Sequence, residues 1–177
     1  MIPERLAALR EKMRAYGVDA YLVPTADYHE SEYVGTYFKA RTYITGFTGS
    51  AGTAVITQDE ACLWTDGRYF VQAAKELAGT GVTLMKMGQE GVPTVEEYLA
   101  ANTKEGMTIG FDGRVVNEML GEALEKTLPE RFLSYRSDLI GETGRTARHF
   151  PQNPCGSLMQ NIPVNPLRSV LQKYAKR

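Results

Sequence analysis

The first apolar pattern in the chain is helical. Ile2, Leu6, Leu9, Met13 and Tyr16 recur in steps of three and four, Pro3 suits a first turn, and Gly17 suits a stop. The period then shortens: residues 19–23 read as a buried strand ending at Pro24, followed by a polar turn over 25–28. In HESEYVGTYFKAR, the side chains of Tyr33, Tyr37 and Phe38 fit one side of a short helix or a structured loop. Residues 46–52, GFTGSAG, must be a loop, because glycine makes positive φ inexpensive and serine competes for local backbone bonds. Apolar residues 54–56 and 61–64 flank the polar stretch 57–60, which predicts a β-hairpin. Further on, the spacing predicts a helix over 68–77 ending at Gly79, and a strand over 82–87. A helix over 94–101 follows, capped by Thr94 with Glu97 three residues on, then a strand over 107–111. A helix near 117–126 and a strand over 132–135 complete the set. This alternation predicts an α/β fold, a mixed β-sheet with flanking helices. No internal repeat stands out.

Composition narrows the class. The chain has 177 residues, 43% hydrophobic and 23% charged, which predicts one soluble globular domain with a tail. A formal net charge of −1 supplies no basic field to gather phosphates, so nucleic acid is not expected as a partner. No run approaches the ~18 apolar residues of a membrane span, and the amino terminus lacks the order of a signal peptide. The expected location is cytoplasmic, with no membrane contact. Cys62 and Cys155 have neither metal nor redox spacing, and Cys62 is expected to pack in the core.

The candidate chemistry is sparse. Only His29 and His149 offer imidazole, the usual anchor of a catalytic metal. His29, Glu30 and Glu32 could be imagined as a metal triplet, but sequence neighbours diverge in direction, so a hydrogen-bonded structural histidine is the preferred reading. Ser50 lies in GSAG without a nucleophile elbow, and GFTGSAG lacks the lysine and following helix of a phosphate loop. WTDGRYF is sharper: Asp66-Gly67 closes a strand and opens a helix, so Asp66 can cap that helix while Arg68 is thrown outward. Two readings stand side by side. One is a cap plus a salt bridge; the other places Arg68 or Trp64 on the rim of a cleft that grips peptides or carboxylates.

The segments DAYLVPTADYHESEYV, ITGFTGSAGTAVI, LWTDGRYFVQAAKEL and TLMKMGQEGVPTVEEYL, in that order, resemble the first domain of three-domain Xaa-Pro aminopeptidases of the creatinase/aminopeptidase P family. The resemblance runs over residues 1–142 and implies a ribonuclease-H-like creatinase N-terminal domain fold. It also implies that the catalytic domain, with two manganese ions and the removal of the first residue from peptides with proline second, lies elsewhere. No cofactor and no metal ligand are expected in this chain. Carried over by position, the motif residues include Ser31 and Gly67 and the substrate-access or interdomain candidates His29, Glu32, Tyr33, Trp64, Asp66 and Arg68. The implied partners are the middle and catalytic domains of the same enzyme and its peptide substrate, and a homo-oligomer is compatible with the pattern. A stand-alone binding or assembly module that keeps the fold without peptidase activity is the alternative.

From Thr143 the resemblance stops. Codons permitted for residues 143–177, read two bases later, restore a proline-rich linker and a helical Ala/Glu/Arg pattern like the family's. The tail is therefore expected to be an out-of-frame translation of the interdomain linker, polar and weakly buried, in which residues 164–174 could still coil into a helix.

Overall fold

The computed structural model describes residues 1–135 and 138–143. The tail expectations, with His149 and Cys155, lie outside the described residues. Helix α1 (Ile2–Tyr16) starts with proline in its first turn and stops at Gly17, whose φ of 65° is the left-handed conformation that glycine adopts without penalty. Strand β1 (Ala20–Pro24) follows. Where one short helix or a loop was expected, a 3₁₀ turn (Thr36–Phe38) leads into helix α2 (Ala40–Thr45). Strands β2 (Thr53–Thr57) and β3 (Ala61–Thr65) make the expected hairpin. The helix expected from Arg68 begins as a 3₁₀ turn (Gly67–Tyr69), where the Asp66 carboxylate accepts from the Arg68 amide, and becomes α3 only over Phe70–Glu76. Strand β4 (Thr83–Lys86), helix α4 (Val95–Asn102), strand β5 (Thr108–Phe111), helix α5 (Glu118–Thr127) and strand β6 (Phe132–Ser134) follow. A short helix, α6 (Leu139–Glu142), closes the described chain.

The six strands form one mixed sheet in the order β4-β3-β2-β1-β5-β6. β2 is antiparallel to both of its neighbours, while the β3/β4, β1/β5 and β5/β6 pairs are parallel. Five strands therefore run one way, and their carboxyl ends share one edge with the start of β2.

Alternation along the strands divides the core into two layers. Tyr21, Val23, Ala54, Ile56, Ala61 and Leu63 face one side, against Leu6, Leu9 and Met13 of α1, Ile44 of α2, Ala73 of α3 and Leu139 and Ile140 of α6. Leu22, Val55, Cys62, Trp64 and Ile109 face the other, against Tyr98 and Leu99 of α4 and Leu124 of α5. Tyr16 departs from the expected helix face: it is half exposed, and its hydroxyl donates to Glu142 Oε2 at 2.9 Å. Lys12 reaches the same carboxylate at 3.7 Å, so α6 is tied to the outside of α1.

Candidate functional site

All six candidate residues lie at the carboxyl edge of the sheet, where open α/β folds place their ligand crevices. His29, Glu32 and Tyr33 sit in the segment after β1, Trp64 is the penultimate residue of β3, and Asp66 and Arg68 follow it. They do not converge on one pocket. Glu32 and Tyr33 line a cleft of about 130 Å³ with Arg41 and Ser50. Trp64 lines a separate cleft of about 320 Å³ with Met87, Val92, Pro93 and Leu120.

The segment after β1 is organised by Asp27, whose Oδ1 accepts from the amides of His29 at 2.9 Å and Ser31 at 3.0 Å. Those bonds hold the Asp27 carboxyl below its usual range. Between the two amides, Glu30 has a φ of 56°, uncommon for a non-glycine residue, and its carboxylate accepts from the side chain of Asn117, the cap of α5. His29, Glu32 and Tyr33 are exposed.

Trp64 is the floor of its cleft rather than its rim: it is 1% exposed, its ring meets Tyr98 edge-on at 5.1 Å, and its Nε1 donates to Pro93 O at 2.8 Å. Asp66 does cap the following turn, accepting from Arg68 N at 3.0 Å. The Arg68 guanidinium forks onto the same carboxylate, with Nε and Nη2 each at 2.9 Å. This bidentate pairing holds the Asp66 carboxyl below its usual range and raises Arg68, to which the field of Glu32 adds. The geometry of the cap plus salt bridge is thus present, yet the Arg68 side chain remains 65% exposed.

Two features escaped the reading of the sequence. One is Arg41, 3% exposed, which organises the GFTGSAG loop. Its Nη1 donates to Phe47 O at 2.6 Å, its Nη2 to Gly49 O, and its Nε to Thr25 Oγ1 at 3.0 Å. Burial lowers its pKa to about 10. Glu76 of α3 accepts from the amide and hydroxyl of Thr48 at 2.8 and 2.7 Å. Thr65 Oγ1 donates to Ala51 O at 2.8 Å, and the amide and hydroxyl of Thr25 both donate to Gly52 O, at 3.0 and 2.7 Å. Ser50, the residue weighed as a nucleophile, pairs with Tyr69 OH at 2.8 Å. Gly49 is required here, since a Cβ would run into the rings of Phe47 and Tyr69. The loop is a wall held by Thr25, α2, β3, the 3₁₀ turn at Tyr69 and α3. The signal for this was an arginine one turn before Thr45 and Gly46 on an otherwise apolar helix face.

The second feature is a repeat of Asp-Gly-Arg at residues 112–114, directly after β5. Arg114 forks onto Asp112 as Arg68 does onto Asp66, with Nε at 2.8 Å and Nη2 at 2.7 Å. It also donates to Tyr37 OH at 3.0 Å and to Asp138 Oδ2 at 3.1 Å. Comparing the residues that follow each buried strand would have found it.

Residues 5–141 match the creatinase/prolidase N-terminal domain family. The chain belongs to this family. The chain is 40% identical over 157 residues to Aminopeptidase P2 of Arabidopsis thaliana, covering 85% of this chain and 22% of that protein. It is 48% identical over 125 residues to a protein of Talaromyces marneffei named "Probable Xaa-Pro aminopeptidase P", covering 71% of this chain and 19% of that one. Its fold superposes on an X-prolyl aminopeptidase of Caenorhabditis elegans with a TM-score of 0.74 at 35% identity, over 80% of this chain and 25% of that one. That protein is described as a cytosolic enzyme with a di-nuclear active site. The N-terminal domain of the cytoplasmic peptidase PepQ of Mycobacterium tuberculosis superposes over 99% of its length, with a TM-score of 0.57 at 26% identity. The creatinase-N chain thus corresponds to the N-terminal domain of aminopeptidase P family enzymes and spans a quarter or less of the relatives named from Arabidopsis, Talaromyces and Caenorhabditis. Among the described residues, no group of three His, Cys, Asp or Glu side chains could hold a metal ion, so a di-nuclear centre does not fit them. No described helix is long and apolar enough to cross a membrane.

Proposed function

We propose that this chain is the non-catalytic N-terminal domain of a metal-dependent Xaa-Pro aminopeptidase, and that its carboxyl edge shapes substrate access and interdomain contacts. The observation that carries this reading is that Glu32 and Tyr33, in a cleft against the GFTGSAG loop, and the Asp66–Arg68 pair lie on one edge of the sheet, in a chain whose described residues offer no metal-ligand set. Exposed and forked onto Asp66, Arg68 keeps Nη1 for a peptide carboxylate or a neighbouring domain. The two manganese ions, the peptide and the middle domain belong to the rest of such an enzyme. The residues from 143 onward are, in this reading, an out-of-frame linker; sequencing the gene across the Glu142 codon tests that, and an intact frame with no family-like sequence in the shifted one overturns it.

The purified chain is expected to release no amino-terminal residue from Xaa-Pro peptides, with or without added manganese. Turnover that persists through successive purification steps, and tracks the protein, overturns the proposal. The alternative is a stand-alone binding or assembly module that keeps the fold without peptidase activity.

A further inference from the structure

A buried guanidinium normally faces a carboxylate, because an unpaired charge in a low-dielectric interior is costly. Arg41 has none in ion-pair contact among the described residues; its hydrogen bonds go to two carbonyls and a hydroxyl. Glu76 acts on it only through the field, its carboxylate being engaged by Thr48 and Gln72. Of the five N–H bonds of a guanidinium, three are thereby used and two are left. Arg41 lines the cleft of about 130 Å³ described above, and so do Thr42 and Lys39, neither of whose side chains makes a hydrogen bond or ion pair to any described residue. Ser50 in the same lining brings its hydroxyl, shared with Tyr69. The one acid of the lining, Glu32, acts on the Arg68 guanidinium outside it.

From this we infer that the cleft between α2 and the GFTGSAG loop is a binding site for a small carboxylate, held by Arg41 from below, Lys39 from the rim and the hydroxyls of Thr42 and Ser50. Two cations against one acid leave the lining with an excess positive charge, and a cleft of about 130 Å³ has room for a compact carboxylate. The site is independent of the peptidase reading: it needs only this chain.

Titration of the whole ¹⁵N-labelled chain with sodium acetate, followed by amide chemical shifts, tests it, with sodium chloride as the ionic-strength control and sodium phosphate as the second oxyanion. Acetate should give saturable shifts confined to Lys39, Arg41, Thr42 and residues 48–50, absent with chloride. Lys39→Ala, at an exposed position that should leave folding intact, should weaken binding by about fivefold. Thr42→Val should weaken it by about threefold through loss of one hydroxyl. Glu32→Gln should strengthen it by about twofold by removing the opposing charge. Shifts that grow linearly without saturation, or that are unchanged in both Lys39→Ala and Thr42→Val, overturn the inference. Saturation by phosphate but not by acetate overturns the assignment to carboxylates.

Discussion

After β3 and again after β5 the chain leaves the sheet through the same three residues, Asp-Gly-Arg, and in both places the arginine bends back to fork onto the aspartate two residues earlier. The surroundings differ. Arg114 continues to Tyr37 and Asp138, joining the end of β5 to the 3₁₀ turn before α2 and to the start of α6. Among the described residues Arg68 forms no such bridge; beyond Asp66 it meets the Tyr69 ring, at 5.3 Å, and the field of Glu32. The glycines differ in the same sense. A Cβ on Gly113 would come within 2.8 Å of Tyr135 O and 2.9 Å of Tyr135 Cβ, whereas on Gly67 its nearest neighbour would be a Phe70 ring carbon at 3.8 Å. One local motif, self-contained in its hydrogen bonds, thus serves once as a tie between elements and once as a platform for an outward-facing cation. Which it becomes is decided by what lies beside it.

The sharpest way to break this comparison is at the glycines. Gly113→Ala, which drives a methyl into the backbone after β6, should cost about 2 kcal/mol in urea denaturation. Gly67→Ala, with open space, should stay within about 0.5 kcal/mol. Equal losses would mean that the two turns are not distinguished by their neighbours. Next in size is Arg114→Ala, expected to cost about 1 kcal/mol by the same measurement once its partial exposure is allowed for, because it removes the cation that Asp112 and Asp138 share. Acid titration should show a smaller effect near the first turn. Burial alone would push the Glu76 carboxyl up, but the hydrogen bonds from Thr48 and Gln72, with the field of Arg41, bring it below its ordinary value of 4.5. A carboxyl depressed in the folded state stabilises above its unfolded pKa and loses that contribution as pH falls through the folded one. Glu76→Gln should therefore remove the part of the acid destabilisation that sets in below about pH 4.5, a fraction of about 1 kcal/mol. The smallest change is expected for Arg68→Ala, whose thermal unfolding midpoint should match the parent; a drop as large as that of Arg114→Ala would show Arg68 to be a tie as well.

Runs of apolar residues made the central strands legible in advance, since β1, β2 and β3 bury successive residues in turn against the two helical layers, whereas β4 and β6 at the edges bury none. Local spacing also located the caps at Thr94 and Asp66, because a cap is a contact between residues two or three apart. Short-range patterns could not show what depends on distant partners. Helix α2 spans only Ala40–Thr45, too short for a clear period, and it is held by Arg41 reaching to Thr25 and the loop beyond. The demand for glycine at 113 arises from the chain after β6, some twenty residues on in the sequence. One of the two readings of WTDGRYF allowed Trp64 a place on a rim because tryptophan is frequent in binding sites; its place on a fully buried strand sends the ring inward. For the candidate site, WTDGRYF was found by its local chemistry, while its companion at 112–114 has the same letters without an adjacent tryptophan to draw notice.

The wall at residues 46–52 has a kinetic corollary. Its shape is dictated by donors and acceptors from Thr25, Arg41, Thr65 and Glu76, which come from four separate parts of the chain. None of those groups is in place until β1, α2, β3 and α3 have assembled, so the loop acquires its final course late, as a latch that closes over an already formed sheet. In pulse-labelled hydrogen exchange during refolding, the Thr48 amide should gain protection after those of Val55 and Leu63 in the neighbouring strands.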